Sequence, residues 1–171
     1  AEHVIKAVLR TSSLLGLGID SLTCWSTGPS GWRPADLWLR EQYPEIANSI
    51  VSPNGLFGSM GLNGMATLVC ARKERPDLFV TETHPKVLYW HLTRDKYDYT
   101  SRKSLMDGWL GSCFGLSIES ATEHEWDAAI SALVVLQSLR DEWRRDLHVL
   151  KGRAEERLVQ PCGPTHYCWP D

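Results

Sequence analysis

Two short apolar runs, each leading to an acidic residue, constrain the fold of this chain more than any other feature. The first run is Leu14–Ile19, which is followed by Asp20, and the second is Leu78–Thr83, which contains Glu82. Between them, Met60–Glu74 carries apolar residues at helical spacing. Two buried strands joined by a helix are typical of a parallel strand–helix–strand unit. The sequence therefore predicts an α/β fold with both acids at corresponding strand ends.

The residues after Glu82 indicate a site at this end of the strand. Pro85 suits the first position of a helix, because its missing N–H would be unpaired there, and we expect this helix over Lys86–Leu92. Glu82 and His84 would then lie where open α/β sheets bind ligands. His84 follows Glu82 by two residues, so on extended backbone both side chains face one side. There His84 could hold a phosphate or an attacking water molecule.

A third carboxylate lies near the start of a helix. The strongest helical pattern of the chain covers Glu123–Arg144, and a shorter helix is predicted over Lys103–Trp109. Asp127 lies in the first turns of the longer helix, beside Ala128 and Ala129. Their small side chains would let the helix pack closely on the sheet, which would bring Asp127 towards the strand ends.

Three carboxylates on strand ends and a helix start fit a centre for divalent cations. Phosphoryl transfer by two metal ions needs several carboxylates around cations that are roughly 3.5–4 Å apart. Hard oxygen ligands favour Mg²⁺ or Mn²⁺. We therefore predict that Asp20, Glu82 and Asp127 bind metal and act in catalysis, and that His84 assists them.

Arg33 and Asp36 are predicted to contact the substrate, with Arg33 facing a phosphate. Their spacing also allows a plain ion pair at i, i+3. The acids have structural alternatives too. Asp20 could cap the loop after its strand, the helix dipole would stabilise Asp127 without any metal, and Glu82 with His84 could form an ordinary helix entry.

Composition limits the classes of protein that need be considered. The length of 171 residues and a hydrophobic share of 43% predict one packed domain over residues 1–171. A net charge of −3 argues against nucleic-acid binding by bulk charge. It does not exclude a nucleic-acid enzyme with a local basic patch. We find no run of about 18 apolar residues and no leader pattern, and expect a cytoplasmic protein without membrane contact.

The five cysteines are odd in number and irregular in spacing, which favours free thiols in a reducing compartment. Cys162, His166 and Cys168 have a spacing that three zinc ligands could have. No CxxC pair exists elsewhere in the chain, so a C-terminal turn that happens to contain cysteines is the favoured interpretation.

The chain also resembles a known family, the uncharacterised bacterial and archaeal proteins identified as predicted nucleases of ribonuclease H-like fold. The resemblance covers nearly all of the chain from about Leu14 onward. Its most specific part is the Glu-x-His-Pro element with the downstream Asp-Ala helix. The segments that carry it are Gly18-Ile19-Asp20, Arg33-x-x-Asp36, Glu82-x-His84-Pro85, Trp126-Asp127-Ala128-Ala129 and the closing Pro161-Cys162-Gly163-Pro164…Tyr167-x-Trp169-Pro170.

This resemblance implies a mixed sheet flanked by helices and a Mg²⁺- or Mn²⁺-dependent nuclease that acts on a nucleic acid or nucleotide. Ribonuclease H-like folds begin with three antiparallel strands, the first of which carries a metal-binding Asp. Here a helix precedes the Asp20 strand, so we expect those strands to be missing or supplied in trans. An uncovered sheet edge favours a homo-oligomer or a partner chain that completes the sheet.

Two alternatives to a nuclease stay open. The first is a catalytically inactive interaction module that kept the ribonuclease H-like fold and lost the full metal site. The second is a Ser or Cys hydrolase that uses His84 or His124, which ranks last because no GxSxG motif is present.

Overall fold

The computed structural model describes residues 2–11, 13–52, 58–152 and 158–171. Six α-helices are present in this part of the chain: α1 (Glu2–Arg10), α2 (Pro34–Gln42), α3 (Gly58–Glu74), α4 (Pro85–Thr93), α5 (Tyr99–Phe114) and α6 (Glu123–Leu139). Short 3-10 helices cover Pro44–Ser49 and Leu147–Val149. The strands are β1 (Gly16–Ile19), β2 (Trp25–Ser26), β3 (Phe79–Glu82), β4 (Arg145–Asp146), β5 (Leu158–Val159) and β6 (Cys168–Trp169).

The predicted strand–helix–strand unit is confirmed. Strands β1 and β3 are parallel, in a register that pairs Gly16 with Phe79 and Ile19 with Glu82. Helix α3 lies between them in the sequence. A small apolar cluster fills this unit, formed by side chains of both strands, of α3 and of the turn before β3: Ile19, Leu68, Ala71, Leu78 and Val80.

The mixed α/β class is confirmed, but the sheet is smaller than expected. The strands form three separate pairs, parallel β1–β3 and antiparallel β2–β5 and β4–β6. The C-terminal segment also lies along β3, because His166 N–H donates to the Val80 carbonyl and Glu82 N–H donates to the His166 carbonyl. A ribonuclease H-like topology for these elements stays a prediction.

Helices α2, α4, α5 and α6 enclose the main core together with the C-terminal residues. Its centre is aromatic: the Tyr89 ring makes edge contacts with Trp109 and Trp126, at centroid distances of 5.3 and 5.4 Å. Trp126 and Trp169 are both fully buried. Burial of such large apolar rings is a major source of stability for this core.

Close packing of α6 on β1 places Asp127 near Asp20. A Cβ atom at Gly18 would lie 2.2 Å from the Ser131 carbonyl oxygen, so only glycine allows this approach. Ser131 in turn donates its hydroxyl to the Asp127 carbonyl one turn earlier. Because Asp20 lies two residues beyond Gly18, both acids lie past the contact, at the carboxyl end of β1.

Two further findings bear on partners. Within the described ranges, no helix is both long and apolar enough to cross a bilayer. Among the same residues, β1 pairs with β3 alone, so its other edge has no strand beside it. The expectation of a homo-oligomer or of a partner chain on the sheet stays a prediction.

Candidate functional site

A buried ion pair joins β3 to the start of α2. The Arg33 guanidinium donates to both oxygens of Glu82, through Nη1 to Oε2 at 2.8 Å and through Nη2 to Oε1 at 2.6 Å. It also donates to both oxygens of Asp36, at 2.9 and 2.7 Å. Arg33, Asp36 and Glu82 are 1–3% exposed. The fork of the guanidinium thus holds two carboxylates inside the protein.

Local sequence explains this arrangement. Arg33 precedes Pro34, the first residue of α2, and Asp36 lies in the first turn, where its carboxylate accepts the Arg33 N–H at 3.2 Å. Acidic side chains are favoured there by the helix dipole. Thr23 adds two bonds to Glu82 Oε2, from its backbone N–H and from its hydroxyl, both at 2.9 Å.

The charge states of this pair follow from its contacts. Burial alone would raise the pKa of Glu82, but the charge of Arg33 and the contacts with His148 and Arg33 together outweigh it and hold that pKa well below its usual range. Burial likewise opposes the charge of Arg33, yet Glu82 and Asp36 raise its pKa above the usual value. Both groups are therefore charged at neutral pH.

The geometry gives Arg33 and Asp36 a structural role in place of the predicted substrate contact. A phosphate cannot reach a guanidinium that is 1% exposed and already occupied by two carboxylates. The i, i+3 pair that the sequence left open is the arrangement observed. Glu82 is directed inward as well, because its two oxygens accept four hydrogen bonds from Thr23 and Arg33.

His148 and Cys24 lie against the same carboxylate. His148 Nε2 is 3.5 Å from Glu82 Oε2 and 3.5 Å from Cys24 Sγ, while Nδ1 is 2.9 Å from the Thr165 carbonyl oxygen. Burial lowers the pKa of His148, but its contacts with Cys24 and Glu82 outweigh this and raise the pKa to about 10. Acceptors at both ring nitrogens stabilise the imidazolium.

A separate pair of acids, Asp20 and Asp127, lies at the carboxyl end of β1. Asp127 is buried and accepts the Tyr97 hydroxyl at 2.6 Å. Burial raises its pKa, and the charge of Glu123 adds to this. Asp20 is exposed to solvent on one side. Partial burial, followed by the charge of Asp127, raises its pKa to about 7.

Lys86 and Tyr97 complete the surroundings of these acids. The Lys86 ammonium is 3.6 Å from Glu123 Oε1 and 5.1 Å from the centre of the Tyr97 ring. Its positive charge lowers the pKa of both Asp20 and Asp127, against the larger opposing effects. Burial and the bond to Asp127 raise the pKa of Tyr97, so this hydroxyl stays protonated and donates.

His84 has a different partner from the one predicted for it. It precedes α4, and its Nε2–H donates to the Ser49 carbonyl at 3.0 Å. Burial lowers its pKa, so it is neutral at pH 7. The bond to Ser49 ties α4 to the end of the Pro44–Ser49 helix. A role for His84 in catalysis stays a prediction.

The three predicted metal ligands do not form one compact group. In the described ranges, the one set of three side chains whose ligand atoms all lie within 4.8 Å of one another is Cys24, Glu82 and His148. Asp20 and Asp127 are near each other, while Glu82 is directed towards Arg33. The assignment of metal to Asp20, Glu82 and Asp127 together stays a prediction.

Sequence reasoning missed Cys24 and His148. Cys24 follows Asp20 by four residues, but His148 is 124 positions further on, so no local motif joins them. The cysteines considered for zinc lie elsewhere: Cys162 Sγ contacts Met65, and the neighbouring His166 ring bonds to Asp146. Within the described residues, Cys162, His166 and Cys168 form no compact group.

No protein-family model, no curated protein and no solved structure matches this chain.

A change at Asp20 should show the cost of partly burying this acid beside a second one. The ordinary pKa of Asp is 3.8, and in the folded protein that of Asp20 is about 7. Since the folded state binds this proton more tightly, the contribution of Asp20 to the stability of the wild type falls as pH rises from about 4 to 7. Asp20→Asn removes that loss. Its Tm should exceed that of the wild type at pH 8 and equal it below pH 3.8, as measured by circular dichroism.

The matched control is Asp141→Asn, the same change at an exposed acid outside the site. It should give no difference in Tm that grows with pH. Equal melting of Asp20→Asn and wild type from pH 3 to 8 would show that neither burial nor the charge of Asp127 raises the pKa of Asp20.

Proposed function

We propose that this chain is a divalent-metal-dependent phosphodiester hydrolase, a nuclease, that holds Mg²⁺ or Mn²⁺ on Asp20 and Asp127. One observation carries the proposal: among the described residues, these two acids form no ion pair within 4 Å, and both have a raised pKa. The other acids with shifted pKa values are paired with cations or histidines, and their pKa values are lowered: Glu82, Asp107 and Asp146.

Unpaired, partly desolvated carboxylates at a strand end suit a cation. Structural acids in this protein gain stability from their partners, whereas Asp20 and Asp127 repel each other. A divalent cation would remove that repulsion and accept both oxygens as hard ligands. Perturbed pKa values of this kind are typical of functional sites. The residues present therefore fit Mg²⁺ or Mn²⁺.

The surroundings of the acids suit a phosphate ester. Lys86 supplies a half-exposed positive charge near both carboxylates. It lies in the first turn of α4, where backbone N–H groups and the helix dipole also favour anions. A bound cation would lower the pKa of a water molecule and polarise a phosphoryl oxygen. Tyr97 orients Asp127 through its 2.6 Å bond, and Lys86 balances charge on the substrate.

The alternative is a non-catalytic interaction module. It is favoured by the position of Glu82, which is directed towards Arg33 and Thr23 and, among the described residues, forms no compact group with Asp20 and Asp127. Two available carboxylates are fewer than a two-metal centre needs. A nucleic acid or nucleotide substrate is part of the hydrolase proposal and not of the interaction module.

Calorimetric titration with Mn²⁺ separates these two functions. The wild type should bind Mn²⁺, and Asp127→Asn should weaken binding by at least about 10-fold. Even residues that only hydrogen-bond to a metal ligand contribute that much to affinity. Asp141→Asn is the control for the loss of one negative charge, and should leave the affinity unchanged. A wild type that takes up no Mn²⁺ at millimolar concentration would overturn the hydrolase and leave the interaction module.

A further inference from the structure

From the contacts of Cys24, Glu82 and His148, we infer a second metal site, distinct from the proposed Asp20–Asp127 site, that binds Zn²⁺ inside the protein. Each of these three side chains offers one ligand atom, and the three atoms all lie within 4.8 Å of one another. Thiolate, carboxylate and imidazole are the ligands that zinc uses in proteins. Mg²⁺ and Mn²⁺, by contrast, prefer oxygen alone.

The distances match a zinc tetrahedron. Bonds of about 2.3 Å to sulfur and about 2.0–2.1 Å to nitrogen place those two atoms about 3.5 Å apart around one ion. His148 Nε2 lies 3.5 Å from Cys24 Sγ and 3.5 Å from Glu82 Oε2. Both distances from His148 Nε2 are thus those between two corners of a zinc tetrahedron, and a water molecule is the usual fourth ligand where the protein supplies three.

The neighbours of these residues orient them for a metal. His148 Nδ1–H donates to the Thr165 carbonyl at 2.9 Å, so Nε2 is directed at Cys24 and Glu82. A metal-bound histidine almost always makes such a bond with its other nitrogen. The Thr23 hydroxyl is 2.8 Å from Thr165 Oγ1, so it can donate there instead, which lowers the number of donors on Glu82 Oε2 from three to two.

The charges of the cluster allow Zn²⁺ to replace two protons, despite the nearby guanidinium of Arg33. Without metal, the positive Arg33 and His148 balance Glu82 and Asp36, with Cys24 as a thiol. With Zn²⁺ bound, the thiol proton and one imidazolium proton leave for solvent, and the two charges of the ion replace them. Cluster charge is zero in both states, which matters because an unbalanced buried charge is costly. Arg33 Nη1 lies 3.5 Å from Cys24 Sγ, where it can donate to the thiolate.

Cobalt(II) is the probe for this site, because a bound thiolate gives a charge-transfer band and tetrahedral geometry gives intense visible bands. The metal-free wild type should bind one Co²⁺ per chain with both features, and Zn²⁺ should displace it while excess Mg²⁺ should not. Cys24→Ser should lose the charge-transfer band. The matched control is Cys113→Ser, a thiol in α5 outside the cluster, which should keep it.

Affinity for Zn²⁺ gives a second measurement, by competition with a coloured chelator. His148→Gln should weaken binding by more than about 100-fold, since even outer partners contribute roughly 10- to 100-fold. If Cys24→Ser fails to fold, His148→Gln and the wild-type spectrum decide. A wild type without a charge-transfer band, or a band that persists in Cys24→Ser, would overturn the zinc site. The Mn²⁺ titration is independent, since Cys24→Ser should leave it unchanged.

Discussion

Arg33→Met should destabilise the protein by about 3–5 kcal/mol, the usual cost of removing one partner from a buried ion pair. Methionine has a similar length and fills much of the same space, so the effect comes from charge. Glu82 and Asp36 would remain buried, at 2% and 3% exposure, with their main partner gone. Urea unfolding at pH 7 measures the change in the free energy of unfolding.

The destabilisation by Arg33→Met should change with pH in a definite direction. The folded pKa of Glu82 lies below its ordinary value of 4.5, so the pair contributes its full stability above that pH. The contribution is lost as pH falls through the folded pKa. The difference between wild type and Arg33→Met should therefore be largest near neutral pH and shrink on acidification below about 4.

Arg144→Met is the matched control, because Arg144 pairs with Asp141 while both side chains are mostly exposed, at 70% and 81%. Ion pairs of that kind contribute little, so its unfolding curve should overlay that of the wild type. If Arg33→Met also overlaid it, the buried pair would not hold α2 to β3. Glu82→Gln should be destabilising as well, because it removes the negative partner of the buried Arg33 guanidinium.

The strand–helix–strand unit could be predicted because its signals are local. The apolar runs before Asp20 and Glu82 and the helical spacing between them identify β1, α3 and β3, and the parallel pairing follows from the connection. The separate pairs β2–β5 and β4–β6 could not be predicted, since two-residue strands carry no periodicity. Their partners are brought together by tertiary packing.

Two helices, α5 and α6, differed from their predicted bounds by more than two residues, and the sequence holds a signal for part of the difference. Helix α5 is longer than the expected Lys103–Trp109, because Asp98 caps it by accepting the Ser101 N–H and Gly115 ends it in a left-handed conformation. Both are standard helix signals. Helix α6 stops at Leu139, short of Arg144, and Asp141 turns to a positive φ of 61° just beyond.

The candidate site could likewise be predicted in part from the sequence. The positions of Asp20 and Asp127 near one strand end follow from short-range patterns, together with a glycine that permits close packing. The partner of Glu82 was harder to predict, because Arg33 is 49 residues away and suits a phosphate or a carboxylate equally well. Burial decides between these two, and burial of a charged side chain depends on the whole fold.

Asp127→Asn should abolish metal-dependent cleavage, with kcat reduced by at least about 100-fold. A catalytic metal contributes several kcal/mol to the transition state, and each 1.36 kcal/mol is a factor of about ten in rate. Asparagine keeps the size of the side chain and an acceptor for the Tyr97 hydroxyl, but removes the charge that the cation needs. The measurement is cleavage of single- and double-stranded DNA and RNA oligonucleotides in Mn²⁺.

Two further variants make the result specific. Tyr97→Phe leaves both carboxylates in place and removes only the 2.6 Å bond that orients Asp127, so cleavage should fall by roughly 10- to 100-fold. Asp141→Asn should cleave like the wild type. Because Asp127 lies in the fold without a cationic partner, Asp127→Asn should also melt no lower than the wild type at pH 8. A nuclease activity that survives Asp127→Asn would belong to a contaminant or to a site other than this pair of acids.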